Sequence, residues 1–279
     1  MSKPVALTIA TSDSGGGAGI QADIKAMEAN GVFAASVLAA VTAQNTETVA
    51  EAHELPSSLV STQIDVVAED LDVQAVKTGM LFTADIIETV AERIEAHDLQ
   101  PLVVDPVMIS KSGFKLLKDD AIAPMLEVLM PRAAVVTPNA HEAAHLTSIE
   151  IETVEDLRRA GEALYEKGPE AVLVKGGHLS DEDEAVDVLV DSTGVQKFTA
   201  PRIDTKHTHG TGCTYASAIA AHLAKGYELH QAVGRAKRYI TGAIRHALPL
   251  GKGRGPTNHF FHLDGEAAVQ AVQVDSAQG

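Results

Sequence analysis

Tryptophan is missing from this chain, cysteine occurs once, aromatic residues make up 4%, and 22 lysines and arginines face 38 aspartates and glutamates. A lone thiol cannot close an internal disulfide, which fits a reducing compartment and leaves Cys213 to be explained by packing or by chemistry. The formal net charge of -16 speaks against a nucleic-acid or anionic-membrane surface, because phosphates are held by clustered Lys and Arg. Any anion site must therefore be made by a few well-placed groups. Long apolar runs are also absent. The longest, VFAASVLAAVTA from Val32, falls short of the roughly 18 residues a membrane-spanning helix needs and has the length of a buried strand. The start, MSKPVALTIATSDSG, has neither the apolar stretch nor the small-residue cleavage site of an export signal, so a cytoplasmic protein is expected. Acidic runs such as SDEDEAVD, from Ser180, fit a high-salt cytosol or an ordinary solvated surface, alternatives that stability in molar salt separates.

What is present is alternation. VALTIA precedes IQADIKAMEANG; VQAVKTGM precedes TADIIETVAERIEAH; PLVVDPVM precedes AIAPMLEVLM; AAVVTPN precedes VEDLRRAGEALYEKG; AVLVKGG follows. Short apolar runs alternating with helical patterns are the mark of βαβ units, hence a mostly parallel sheet covered on both faces. AVDVLVDSTGVQKFTA reads as two strands around an Asp-Ser-Thr-Gly turn, an antiparallel hairpin at one side of the sheet. Two helices, GCTYASAIAAHLAKG and HQAVGRAKRYITGAIRHAL, come next. The expected organisation is one α/β domain over residues 1–262 and a frayed tail over 263–279.

Ligands of open α/β sheets bind outside the carboxyl ends of the strands, which converts the strand reading into candidates. Those positions are the Gly-rich loop of residues 13–19, Gln44, residues 78–80, Asp105, Asn139 with Glu142, and Lys175. DSGGGAGIQAD has neither the G-x-G-x-x-G spacing of a dinucleotide site nor the G-K-[ST] of a P-loop, so it is a different loop, either a substrate wall or a tight turn. Asp23, one turn beyond Gly19, either points into the cleft or sits on a solvated face. In GTGC, Gly210 and Gly212 let main-chain N–H groups converge at a helix start, which favours a phosphate without surface lysines. The same field is expected to lower the Cys213 thiol below its free value of about 8.5, the alternative being a buried cysteine acting as a small hydrophobe. His207, His209 and Cys213 lack zinc-site spacing and read better as loop hydrogen-bonders. Asp105 and Glu142, with Asn139, offer oxygens suited to a hydrated Mg²⁺ carried by a nucleotide, though a strand cap and a first-turn acid explain them equally. Lys175 ends an apolar strand and is expected to face an anion or an acidic partner.

Taken in order, SDSGGGAGIQAD, TAQNT, KTGML, VVDPVM, TPNAHEA, VKGGH and THGTGCT resemble the ribokinase-like family, and within it the hydroxymethylpyrimidine/phosphomethylpyrimidine kinases of thiamin biosynthesis. The resemblance spans residues 5–260. It implies a three-layer α/β fold and a phosphotransferase that uses ATP with Mg²⁺ twice on one pyrimidine, with no nucleic-acid or membrane partner and a homodimer left open. It further implies an anion hole at Gly210, Thr211 and Gly212, with Cys213 as proton acceptor where sugar-kinase relatives carry Asp. Gln44 is placed against the ring, its amide matching an aminopyrimidine edge; Met80, Val107 and Asp23 join it on the substrate side. Lys175 becomes the phosphate-facing cation, Asp105 and Glu142 the Mg²⁺ and phosphate network, and Asn139 and Thr208 part of the nucleotide side. Thr11 stands where many relatives have Gly, which bears on the pocket wall. The rival readings are a pyridoxal kinase, a vitamin or nucleotide binder without catalysis and, more remotely, a nicotinamide-dependent enzyme.

Overall fold

The computed structural model describes residues 3–108, 117–177, 179 and 184–263. The expected tail lies outside the described residues from 264 on, as do the first four residues of the acidic SDEDEAVD run. Along the chain run β1 (Val5–Asp13), α1 (Gly19–Ala29), β2 (Phe33–Gln44), β3 (Val49–Glu54), α2 (Ser57–Asp70), β4 (Val73–Thr78), α3 (Ala84–Ala96) and β5 (Leu102–Val104). An irregular helical stretch follows, with α4 (Ile122–Pro124) leading into a π-helical turn (Met125–Leu129). Then come β6 (Val135–Val136), α5 (Ala140–Thr147), α6 (Val154–Tyr165), β7 (Ala171–Lys175), β8 (Glu184–Asp191), β9 (Gly194–Pro201), α7 (Thr211–Ala224) and α8 (Leu229–Arg245).

The sheet has the order β3-β2-β1-β4-β5-β6-β7-β8-β9. Its centre is parallel, from β2 through β7, and antiparallel strands close both edges: β3 on β2, and the β8–β9 hairpin on β7. Period-2 alternation sorts the strands between two helical layers. Leu7, Ile9, Val76, Leu102, Val104 and Val136 pack toward α2 and α3, with α5 and α6 continuing that layer beside β7. Ala6, Ala75, Val103, Val135 and Leu173 face α1, α7 and α8. α7 is buried nearly all round and built of alanines such as Ala216, Ala218, Ala220 and Ala221, whose small side chains let it lie close to the sheet. Among the described residues no helix is long and apolar enough to cross a membrane.

The chain leaves β1 for β2 on one side and later places β4 on the other, so β1 and β4 diverge at a topological switch point, where such sheets open a crevice. The same alternation points Thr8 of β1, Lys77 of β4 and Lys175 of β7 toward the α1/α7 layer, since each shares the parity of the alanine or leucine two residues before it on that face.

One buried histidine of that layer has a consequence for stability. His222 is 7% exposed, stands edge-on to Tyr227 at 5.7 Å, and its Nδ1 has no hydrogen-bond partner among the described residues. Burial, then the cations Lys225, Arg235 and Arg238, push it down to about 4 from 6.5. The unfolded chain therefore takes up this proton first, and stability present above pH 6.5 is lost as pH falls toward 4, by on the order of 3 kcal/mol. His222→Phe keeps the ring and removes the titration. Its melting temperature at pH 5 should exceed that of the parent, with little difference at pH 8; parallel acid losses in both proteins would reject this assignment.

Candidate active site

The crevice beyond β1 and β4 is a cavity of about 430 Å³. One wall is the Gly-rich loop, built around Asp13: its carboxylate accepts N–H bonds from Gly15 (2.8 Å), Gly17 (3.0 Å) and Ala18 (2.8 Å), and faces His209 Nε2 at 3.0 Å. Burial works to raise the Asp13 carboxyl, yet the His209 bond and the main-chain donors outweigh it and hold the group below its usual range. His209 also stands 3.5 Å from the Gln44 amide, and His207 Nδ1 accepts the Gly255 N–H at 3.0 Å. Both histidines are loop hydrogen-bonders, as expected. Thr11 donates to the Met80 carbonyl at 2.9 Å, which ties the end of β1 to the segment after β4 and places its methyl-bearing side chain in the wall.

The opposite wall is the start of α7. Gly210 is its N-cap, left-handed at φ 75°, and no side chain among the described residues caps the helix. A Cβ on Gly210 would come within 1.8 Å of the Gly17 carbonyl oxygen, so glycine here is what lets the two loops touch. Gly212 lies against Lys175 and Asp105: a Cβ there would sit 3.5 Å from the ammonium and 3.6 Å from Asp105 Oδ2. Main-chain donors, a lysine and the positive end of a helix thus face one space, a ready site for a phosphoryl group.

Lys175 pairs with Asp105 at 2.9 Å, and Asp105 also accepts from Thr137 Oγ1 at 3.2 Å. Burial disfavours the charge on Lys175, but Asp105 and then Glu142 overcome this and raise it above its ordinary value, so it remains a cation. Glu142 and Asn139 form a reciprocal capping box at the start of α5, with bonds of 2.8 and 3.0 Å. Burial first, and repulsion by Asp105, hold Glu142 up to about 8 despite the nearby Lys175. The first-turn reading of Glu142 and its place in the cavity wall are both correct, because one oxygen serves the cap while the residue lines the site. Among the described residues no three His, Cys, Asp or Glu side chains gather as a metal cage. Two carboxylates beside a phosphate cradle suit a hydrated cation that arrives on a nucleotide, which keeps most of its ligands from water and phosphate.

Cys213 is where the expectation fails. Rather than lowered, its thiol is pushed up to about 12, chiefly by burial; Lys77 and the Gly19 N–H act downward, Asp23 and Asp105 upward. The field of one helix start is worth less than desolvation plus two nearby carboxylates. The sulfur nevertheless belongs to the cavity wall, between the Gly-rich loop and the α7 start.

The structure gathers Gln44, Met80, Val107, Asp105, Asn139, Glu142, Lys175, Gly210, Thr211, Gly212 and Cys213 around this one cavity. Two expected residues do not line it. Asp23 is 0% exposed and pairs with Lys77 at 2.9 Å, and of the two only Lys77 is among the residues lining the cavity. Thr208 supports the loop instead, its carbonyl accepting the Thr211 hydroxyl at 2.8 Å. Lys77, fully buried yet touching the cavity, went unread in KTGM. Like Lys175, it is a cation near the end of an apolar strand, and that is its signal in the sequence.

Residues 13–258 match the family described as phosphomethylpyrimidine kinase. The hydroxymethylpyrimidine/phosphomethylpyrimidine kinase of Bacillus subtilis (strain 168) is 49% identical over 255 residues, covering 91% of this chain and 94% of that one. The crystal structure of phosphomethylpyrimidine kinase from Clostridium difficile 630 is 45% identical, with TM-score 0.77 over 87% of this chain and 100% of that one. An ADP complex of Bacillus subtilis pyridoxal kinase is 37% identical, with TM-score 0.88 over 95% of this chain and 100% of that one.

Proposed function

The chain belongs to the phosphomethylpyrimidine kinase family, and from that premise we propose how its residues divide the work of two successive phosphoryl transfers. It is a kinase of thiamin biosynthesis that converts hydroxymethylpyrimidine to the monophosphate and then to the diphosphate at the expense of ATP. The observation that carries the reading is the uncapped start of α7, set beside Lys175 and across the cavity from Gln44. Gln44 binds the aminopyrimidine edge, with Met80 and Val107 against the ring. Asn139, Lys175 and Thr211 lie on the nucleotide side. Work on a free small molecule with ATP supports a cytoplasmic setting.

Phosphoryl transfer asks a protein mainly for position and positive potential around the transferred group. The main-chain donors of residues 210–213 and the Lys175 ammonium supply both. Asp105 and Glu142 would hold Mg²⁺, which neutralises phosphate charge when bound; Asp105 also keeps Lys175 aimed at the cradle. In the first transfer the hydroxymethyl oxygen bonds to the γ-phosphorus, the bond from that phosphorus to the β,γ-bridging oxygen breaks, and the hydroxymethyl proton passes to the thiolate form of Cys213, which becomes the thiol. In the second, the attacking phosphate oxygen is already ionised and needs no base.

Purified protein with MgATP and hydroxymethylpyrimidine should yield the monophosphate and then the diphosphate, followed by mass. Pyridoxal is run as the competing alcohol because the fold superposes so fully on a pyridoxal kinase. Turnover of pyridoxal with none of the pyrimidine would replace the substrate assignment, and ligand binding without ATP consumption would remove the catalytic one.

A further inference from the structure

Beneath the cavity floor lies a pair of opposite charges that the phosphate chemistry above does not use. Lys77 and Asp23 are both 0% exposed, and the ammonium bonds both carboxylate oxygens at 3.0 and 2.9 Å. The carboxylate also accepts from Thr8 Oγ1 and Ser217 Oγ, each at 2.7 Å. Four hydrogen bonds from three elements, β1, β4 and α7, fix it. Such a pair is an expensive way to stabilise a core, since apolar residues of similar volume commonly serve as well or better.

Its position suggests another use. Ser217 stands one turn after Cys213 on α7, so the two share a helix face, and the Asp23 carboxylate accepts from Ser217 on that face. Lys77 and Cys213 both line the cavity while Asp23 does not. Of the pair, Lys77 is the residue that reaches the cavity. The groups acting on Cys213 are Lys77 from β4, Asp23 from α1, Asp105 from beyond β5 and the Gly19 N–H at the α1 start. Lys175, held by Asp105 at 2.9 Å, also acts on the sulfur, and Lys77 is the stronger of the two cations.

We propose that Lys77, oriented by Asp23, is a positioning residue for Cys213, its ammonium being the fixed counter-charge against which the sulfur receives the hydroxymethyl proton. The proposal rests on the reading of Cys213 as proton acceptor, and the test separates the two. Because the chain has a single cysteine, alkylation by iodoacetamide reports on this sulfur alone, followed by intact mass between pH 6 and 10. Lys77→Met should slow alkylation at fixed pH by about tenfold or more, the effect of removing one close unit charge. Asp23→Asn should accelerate it. General damage to the site would move both variants the same way, so opposite directions support the proposal, and equal directions or no change in folded protein overturn it. Should Lys77→Met fail to fold, Asp23→Asn decides by itself. Separate assays of the two transfers then examine the proton-acceptor reading: Lys77→Met should depress the first with the alkylation rate and leave the second within about threefold. Equal losses in both transfers, with alkylation shifted as expected, would reject Cys213 as acceptor while leaving the charge pairing intact.

Discussion

Cys213→Ala is expected to slow transfer to the alcohol by about 10²-fold or more, the usual cost of losing a general base, and to slow transfer to the monophosphate by less than about tenfold. The asymmetry follows from the two nucleophiles. An alcohol must shed a proton as its oxygen bonds phosphorus, whereas a phosphate oxygen carries its negative charge beforehand. A thiol held near 12 sharpens the expectation. Its thiolate is scarce at neutral pH but strongly basic, and its population rises up to tenfold for each pH unit below that value. The first transfer by the parent enzyme should therefore climb between pH 7 and 9 beyond any climb in the second, and Cys213→Ala should lose that excess. If the two transfers fall by the same factor, with the same pH profile, the sulfur matters only for the shape of the site.

Gly210→Ala should disable both transfers together, by about 10²- to 10³-fold, the scale of losing oriented main-chain donors to a developing charge. The residue is left-handed at φ 75° and its missing Cβ would collide with the Gly17 carbonyl. Relief requires the α7 start or the Gly-rich loop to move, and either shift spoils the space between them. Since the nucleotide's terminal phosphate needs that space whichever nucleophile attacks, no asymmetry is expected. Steady-state rates for each transfer, with a melting curve showing the protein still folded at assay temperature, check this. Near-normal turnover in either transfer would mean that the cradle lies elsewhere.

These two outcomes rest on features that differ in how plainly the sequence announces them. Glycines ahead of a helical pattern, and the alternation of apolar runs with amphipathic ones, are local signals, so the parallel sheet, the β8–β9 hairpin and the α7 start were all legible. So were the residues just past the strand ends, which converge because parallel strands finish on one side. Edge strand β3 and helix α2 went unread, and α5 was marked only by Glu142 as a first-turn acid: VAEAHE has one valine and two alanines amid charges, and AHEAAHLT is barely two turns long. The helix expected from AIAPMLEVLM breaks into short turns around Pro124 and Pro131, consistent with proline's missing N–H. The pairing of Asp23 with Lys77 joins positions 54 residues apart, and no local pattern declares it. The thiol shift was misjudged for a related reason. A helix start is visible in one dimension, while desolvation and the approach of Asp105 and Asp23 exist only after folding.

The meeting of the α7 start with the Gly-rich loop also constrains the order of events in time. When the first transfer ends, the new ester's phosphorus occupies the position that the next donor's terminal group must reach. The intermediate has to back off, spent ADP has to depart, and fresh nucleotide has to arrive before the second reaction begins. Each round therefore passes through an exchange of nucleotide, and the two reactions cannot run as one uninterrupted event.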